Sequence, residues 1–205
     1  MIAVVDYGVG NLFSLVSSLR FVGAEVQVSG NADDFRAADG IILPGVGAFS
    51  DAREKLRATG LEPVLLEEAG KGKPFLGICL GMQLLFEKST EYGEHEGLGL
   101  IPGKVVALRP PAGLKVPHMG WNSLRFTRPC PLFRHIGEGE YVYYVHSYHA
   151  TECADYTVAV SGYGIPVTGA VARGNVFGTQ FHPEKSGETG LAILKAFDEL
   201  VRGRV

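Results

Sequence analysis

The chain has 205 residues, 46% of them hydrophobic and 20% charged, with 28 glycines and a formal net charge of −3. That is enough chain for one α/β domain over residues 1–205 with a sizeable core, and the balance is that of a compact fold and not of a disordered segment. The small negative charge argues against a surface for nucleic acid or anionic lipid, and the lack of any run of about 18 apolar residues argues against a membrane span. The start, MIAVVDYG, has no basic leader and reads directly as a first strand, residues 2–5. Leu12, Leu15, Val16, Leu19 and Val22 then recur at helical spacing up to Gly23. Residues 25–28 and 41–43 read as a second and a third strand. Helical signal runs from about residue 48 to 69, interrupted near Thr59-Gly60. Residues 75–78 read as the fourth strand, with a helix over 82–86. Strand alternating with helix predicts a mostly parallel sheet covered on both faces, with ligands beyond the carboxyl ends of its strands.

The second half changes character. Residues 104–108, 123–126, 140–148, 156–160, 167–172 and 175–180 read as strands punctuated by turns, so part of the sheet is expected to be antiparallel. A closing helix over about 188–201 carries a broad apolar face. The linkers are too short for a second domain. Three cysteines, Cys79, Cys130 and Cys153, are too few and odd in number for a disulfide framework; they point to a reducing, cytoplasmic setting. No pair of cysteines or histidines has zinc-ligand spacing, so no metal is expected. Gly8-Val9-Gly10 starts like a dinucleotide fingerprint, but the third glycine position holds Phe13, and no phosphate loop follows elsewhere. This argues against a nucleotide cofactor.

Most of the chemistry lies in Phe75-Leu76-Gly77-Ile78-Cys79-Leu80-Gly81-Met82-Gln83. An apolar run ends at Cys79, a helical pattern follows, and a glycine stands two residues to either side. This is the glycine-x-nucleophile-x-glycine arrangement, with cysteine as the nucleophile on a strained strand-to-helix turn. The alternative is a buried structural cysteine beside packing glycines. A cysteine with its ordinary pKa is only partly thiolate at neutral pH and is usually activated by a histidine. Among six histidines, His182 has the most suggestive setting: Phe181-His182-Pro183-Glu184 ends an apolar run, and Glu184 can orient the imidazole. A solvated turn is the alternative there. Oxyanion donors must be backbone amides near the sulfur. Leu80 supplies one, and Val46 or Gly47 of Pro44-Gly45-Val46-Gly47 can supply another, where glycine permits close approach and unusual dihedrals.

Taken together, the Gly77–Gln83 elbow and the His182-Pro183-Glu184 turn resemble the class I, triad glutamine amidotransferases. Asp6-Tyr7-Gly8-Val9-Gly10-Asn11, Pro44–Phe49, Pro117-His118-Met119-Gly120-Trp121-Asn122 and Tyr144-Val145-His146-Ser147-Tyr148 narrow the resemblance to the glutaminase subunits of imidazole glycerol phosphate synthase. The resemblance implies a flavodoxin-like α/β fold and a Cys79–His182–Glu184 triad that hydrolyses glutamine through a γ-glutamyl thioester, with no cofactor of any kind needed. It implies that Gly47, Gln83, Glu91, His146, Ser147 and Tyr148 line the glutamine pocket. Asn11, Trp121, Asn122 and Lys185 would face a (β/α)8-barrel cyclase subunit in a heterodimer. Ammonia would pass to that subunit, which makes imidazole glycerol phosphate and an aminoimidazole carboxamide ribonucleotide in histidine biosynthesis. Hydrolysis would stay nearly silent until the cyclase binds its ligand. Another class I glutaminase, such as the one serving pyridoxal phosphate synthesis, would share the elbow and triad but lack the HMGWN and VHSY segments. A non-catalytic binding module on the same fold and an esterase-like cysteine hydrolase are the remaining alternatives.

Overall fold

A computed structural model describes residues 1–203. Its first half winds as β1 (Ile2–Val5), α1 (Leu12–Phe21), β2 (Val26–Ser29), α2 (Ala32–Ala37), β3 (Gly40–Leu43), α3 (Phe49–Ala58), α4 (Glu62–Gly70), β4 (Phe75–Ile78) and α5 (Leu80–Leu84). The second half adds β5 (Phe86–Ser89), β6 (His95–Glu96), β7 (Ile101–Ala107), β8 (His118–Ser123), β9 (Arg125–Phe126), β10 (Tyr141–His146), β11 (Tyr148–Thr151), β12 (Thr157–Gly162), β13 (Pro166–Arg173) and β14 (Val176–Thr179). It closes with α6 (Gly187–Val201).

The main sheet has eight strands in the order β2-β1-β3-β4-β14-β13-β12-β9. The first five are parallel and the last three antiparallel. Every residue of β1, β3, β4 and β14 is buried, the signature of a parallel sheet packed on both faces. The pleat divides those residues between two cores. Ala3, Val5, Ile41, Leu43 and Phe75 pack with Phe35, Phe49, Leu56 and Leu65 from α2, α3 and α4. Ile2, Val4, Ile42, Leu76 and Ile78 pack on the other face with Leu15 and Leu19 of α1 and Ile193, Leu194 and Phe197 of α6. The mostly parallel, flavodoxin-like α/β sheet with antiparallel additions is therefore the observed fold.

Several elements depart from the sequence expectations. The helix expected over 82–86 is α5, five residues beginning at Leu80, and Phe86 opens β5, where it is fully buried and pairs with Ile101. The strand expected over 140–148 is two strands, because β10 pairs with β8 while β11 pairs with β7, and the chain breaks at Ser147 to change sheets. β8 starts at His118, ahead of the expected 123–126; its Gly120 and Asn122 disguise a strand that pairs along its whole length with β10. Helix α2 has no counterpart among the expected elements; Asn31 caps it by accepting from Asp33 N at 3.1 Å.

Candidate active site

Cys79 stands between β4 and α5 with φ 53 and ψ −109, a left-handed position that an L residue adopts only under constraint. The constraint is close packing. A Cβ at position 77 would lie 2.7 Å from Gly81 O, and one at 81 would lie 1.8 Å from Leu43 O. Only glycine fits on either side of the cysteine. The end of β3 and the elbow are thus pressed together, which brings Pro44-Gly45-Val46-Gly47 against Leu80 and Gly81. Tyr7 Oη donates to Pro44 O at 2.7 Å and holds the start of that loop. Gly47 has φ 94 and no atom within 4 Å of where a Cβ would stand.

The histidine comes from the chain just past the neighbouring strand. β14 pairs in parallel with β4, Thr179 opposite Ile78, and Cys79 N donates to Thr179 O at 2.7 Å. His182 follows three residues later. Its N–H donates to Tyr143 O at 3.0 Å, and Ser186 Oγ donates to its carbonyl at 2.6 Å. Nδ1 meets Glu184 Oε1 at 2.8 Å, which leaves Nε2 buried with no hydrogen-bond partner of its own. Burial works against a charged imidazole here, but the Cys79 and Glu184 side chains outweigh it and push the His182 pKa up to about 10. The arrangement favours an imidazolium beside the Cys79 sulfur, oriented from behind by Glu184.

These groups open into a cavity of about 300 Å³ lined by Val46, Gly47, Cys79, Leu80, Gln83, Glu91, Pro117, Val145, His146, Ser147, Tyr148 and His182. Every residue expected at the glutamine pocket or oxyanion position lies on this wall, and Glu184 sits behind His182. Gln83 is buried; its Nε2 donates to Tyr148 O at 3.0 Å and to Gln180 Oε1 at 3.1 Å. Phe49 N donates to Glu91 Oε2 at 2.8 Å, tying the carboxylate to the start of α3. Burial raises the Glu91 pKa, and that amide opposes the rise.

His146 and His118 form a buried pair, with His118 Nδ1 and His146 Nε2 2.9 Å apart. Tyr148 O, which can only accept, lies 2.8 Å from His146 Nδ1, so the proton of His146 sits there. Nε2 of His146 then accepts from His118, and His118 Nε2 faces the Asn122 amide at 3.3 Å. Burial pushes the His118 pKa down to about 4 and that of His146 to about 3, so both rings are neutral at physiological pH.

The four residues expected at a partner face lie outside the cavity. Trp121 is 56% exposed and meets Tyr143 edge-on at 6.0 Å. Lys185 is exposed. Asn11 caps α1 and, with Val46, His182 and Glu184, helps enclose a small void of about 10 Å³ behind the triad. Asn122 is turned partly inward, donating to Gly162 O at 2.9 Å. Sequence reasoning missed Tyr7, His118 as a ring partner of His146, and Gln180, which touches both Gln83 and Cys79. Position offered one available signal: Gln180 immediately precedes Phe181-His182-Pro183-Glu184. Among the described residues, no three His, Cys, Asp or Glu side chains converge to hold a metal ion, and no helix is long and apolar enough to cross a membrane.

A cysteine elbow on a flavodoxin-like sheet, with a His–Glu pair in the turn after the adjacent strand, is the architecture of the class-I glutamine amidotransferases, and that family's model matches residues 3–199. The imidazole glycerol phosphate synthase subunit HisH of Listeria monocytogenes serotype 4b (strain CLIP80459) is 50% identical over 202 residues, covering 98% of this chain and 97% of that protein. The subunit of the same name from Bacillus cereus (strain B4264) is 53% identical over 202 residues, covering 98% and 95%. A solved structure described as a glutamine amidotransferase superposes with a TM-score of 0.76 at 18% identity, covering 99% of this chain and all of that one, a likeness of fold. Within the class-I glutamine amidotransferases, the chain belongs to the HisH family of imidazole glycerol phosphate synthase subunits.

Proposed function

We propose that this chain works as a single glutaminase domain that feeds ammonia to a cyclase subunit, in a cytoplasmic heterodimer of histidine biosynthesis. The observation that carries the reading is the meeting of Cys79 and His182 at one wall of a cavity sized for a small amino acid, with Glu184 held against His182 from behind. In the mechanism, Cys79 Sγ attacks the side-chain carbonyl carbon of glutamine as a thiolate. The negative charge that develops on oxygen is met by the amide of Leu80 and by one from Val46–Gly47. His182, protonated, gives its proton to the departing nitrogen as the C–N bond breaks, so ammonia leaves and a γ-glutamyl thioester remains. Neutral His182 then takes a proton from water, whose oxygen attacks the thioester; glutamate departs and the thiolate is restored. Glu184 keeps Nε2 aimed at the reacting atoms throughout.

Glu91 is suited to the α-ammonium group of glutamine, and Gln83, His146, Ser147 and Tyr148 to its orientation. Asn11, Trp121, Asn122 and Lys185 are assigned to the cyclase face, where an exposed tryptophan is a natural anchor. Phe13, Leu114, Val116 and Met119 are also exposed and apolar, in keeping with a chain that docks on a partner. The left-handed Gly47 makes a flip of the Val46–Gly47 peptide physically cheap, a means of withholding an oxyanion donor until the cyclase is loaded. Glutamate release titrated with a cyclase subunit and its nucleotide ligand tests the whole reading. Release should rise with partner and saturate at one to one; partner-independent release of full rate would refute the coupling.

A further inference from the structure

No spacing in the sequence singles out Gln180, yet it is the fully buried polar side chain beside the nucleophile. Register explains its place. β14 runs alongside β4 with Thr179 opposite Ile78, so the next residues on the two strands, Gln180 and Cys79, also come side by side. The direction of its amide follows from a carbonyl. Tyr148 O accepts from Gln83 Nε2 at 3.0 Å, which fixes that nitrogen. The second N–H of Gln83 reaches Gln180 Oε1 at 3.1 Å. Gln180 Nε2, the donor end, is thereby left against Cys79 Sγ at 3.8 Å. Turning Gln180 over would set two NH2 groups face to face and aim an oxygen at the sulfur.

Besides the His182 ring, the sulfur also has Val145 O at 3.9 Å. A carbonyl serves only the S–H form. The two contacts therefore divide the work: the thiol donates to Val145 O, and the thiolate accepts from Gln180. We propose that Gln180 is a further catalytic residue of this site, an N–H donor that holds Cys79 as a correctly aimed thiolate. The proposal rests on Cys79 being the nucleophile. Sulfur is the attacking group when glutamine is opened and the leaving group when water opens the thioester, so a donor at Sγ assists both ends of the cycle. Hydrogen bonds to a charged partner are about twice as strong as neutral ones, more so where water is excluded. The titratable groups that face Cys79 are His182 with Glu184 behind it, Tyr7 beneath the loop, and His146 and Glu91 across the cavity.

The test compares Gln180→Glu and Gln180→Met with the parent chain. Gln180→Glu keeps an acceptor for Gln83 but sets a carboxylate against the sulfur; Gln180→Met fills the space with neither donor nor acceptor. Two rates are read: alkylation of Cys79 by iodoacetamide at pH 7, located by peptide mass spectrometry because Cys130 and Cys153 are also free thiols, and glutamine hydrolysis in complex with the cyclase subunit. Both alkylation and kcat should fall about 10- to 100-fold in Gln180→Glu, and about 10-fold in Gln180→Met, the range of a charge-assisted hydrogen bond. KM should move by less than about threefold, because the donor acts on sulfur and not on bound glutamine. A folded Gln180→Glu protein that alkylates and turns over within about twofold of the parent overturns the proposal. If that variant does not fold, Gln180→Met decides by the same criterion; if neither folds, Gln180 is a structural residue and the proposal fails. Cys79→Ala separates the two levels: retained hydrolysis there removes the nucleophile itself, whereas a dead Cys79→Ala beside a normal Gln180→Glu removes only the role given to Gln180.

Discussion

Gly81→Ala puts a methyl group where backbone already stands. Its Cβ would lie 1.8 Å from Leu43 O, 2.8 Å from Leu43 C and 3.2 Å from Pro44 C. The gap must open by about 1.2 Å merely to reach the 3.0 Å that real contacts of this kind do not go below. No flexible side chain is there to yield; what must move is the end of β3 or the elbow itself. Overpacking of a tight core costs about 1–3 kcal/mol, and a backbone-on-backbone clash belongs at the upper end, about 3 kcal/mol. In a domain of this size each kcal/mol is about 2–4 °C in melting temperature, so a fall of about 6–12 °C is expected. The displacement also separates Cys79 from the Val46–Gly47 peptide, and a misplacement of about 1 Å costs on the order of 100-fold in rate. Differential scanning calorimetry and partner-stimulated glutamate release measure the two effects. A Gly81→Ala protein that melts within about 2 °C of the parent and hydrolyses glutamine normally would refute the packing argument for the elbow.

Gly47→Ala meets no atom and costs only the strain of a left-handed alanine, about 1–3 kcal/mol at most, yet stimulated hydrolysis should fall about 100- to 1000-fold if that peptide supplies an oxyanion donor. Cys79→Ala should abolish glutamate release while leaving cyclase binding, followed by gel filtration, unchanged. Glu184→Gln removes the carboxylate that supports the imidazolium; kcat should drop about 100- to 10,000-fold with little change in the far-ultraviolet circular dichroism. Melting temperature against pH should show two opposite limbs. His118 and His146, held down to about 4 and about 3, stabilise the fold above the ordinary histidine value of about 6.5, and that contribution is lost as pH falls from there through both values. His182, held up at about 10, contributes fully below about 6.5 and loses its contribution as pH rises toward 10. Cys79→Ala should flatten only the alkaline limb.

What could be read from the sequence follows from how local each feature is. The three fully buried strands of the first half and the elbow are legible because β1, β3 and β4 are short apolar runs flanked by turn residues, and Gly77-x-Cys79-x-Gly81 is a contact between residues near in sequence. His182-Pro183-Glu184 is legible for the same reason, since Nδ1 and Oε1 are two residues apart. Gln180 is not legible: its meaning depends on β14 landing beside β4, a pairing between residues about a hundred positions apart. The break at Ser147 is hidden because β10 and β11 form one apolar run, and only their pairing with different strands divides them. Likewise the HMGWN segment is conspicuous as a motif, but nothing in it tells that His118 stacks on Tyr144 at 4.6 Å and on Tyr163 at 4.1 Å.

The network around the cavity separates orientation from charge. Tyr148 O fixes His146 on one side and Gln83 on the other, and through them the tautomer of His118 and the direction of Gln180. None of these four side chains is ionised at neutral pH, and hydrogen bonds tie them to one another, so the wall gains rigidity without the desolvation cost that buried ions would bring. The ionisable groups of the cavity stand apart from this network: Glu91 at the far wall, and the Cys79–His182–Glu184 line. Were His146 charged, it would place a second cation in the cavity that Cys79 and His182 share. Its burial against another neutral ring prevents that, which accounts for a pair of histidines standing so close to His182 without sharing its charge.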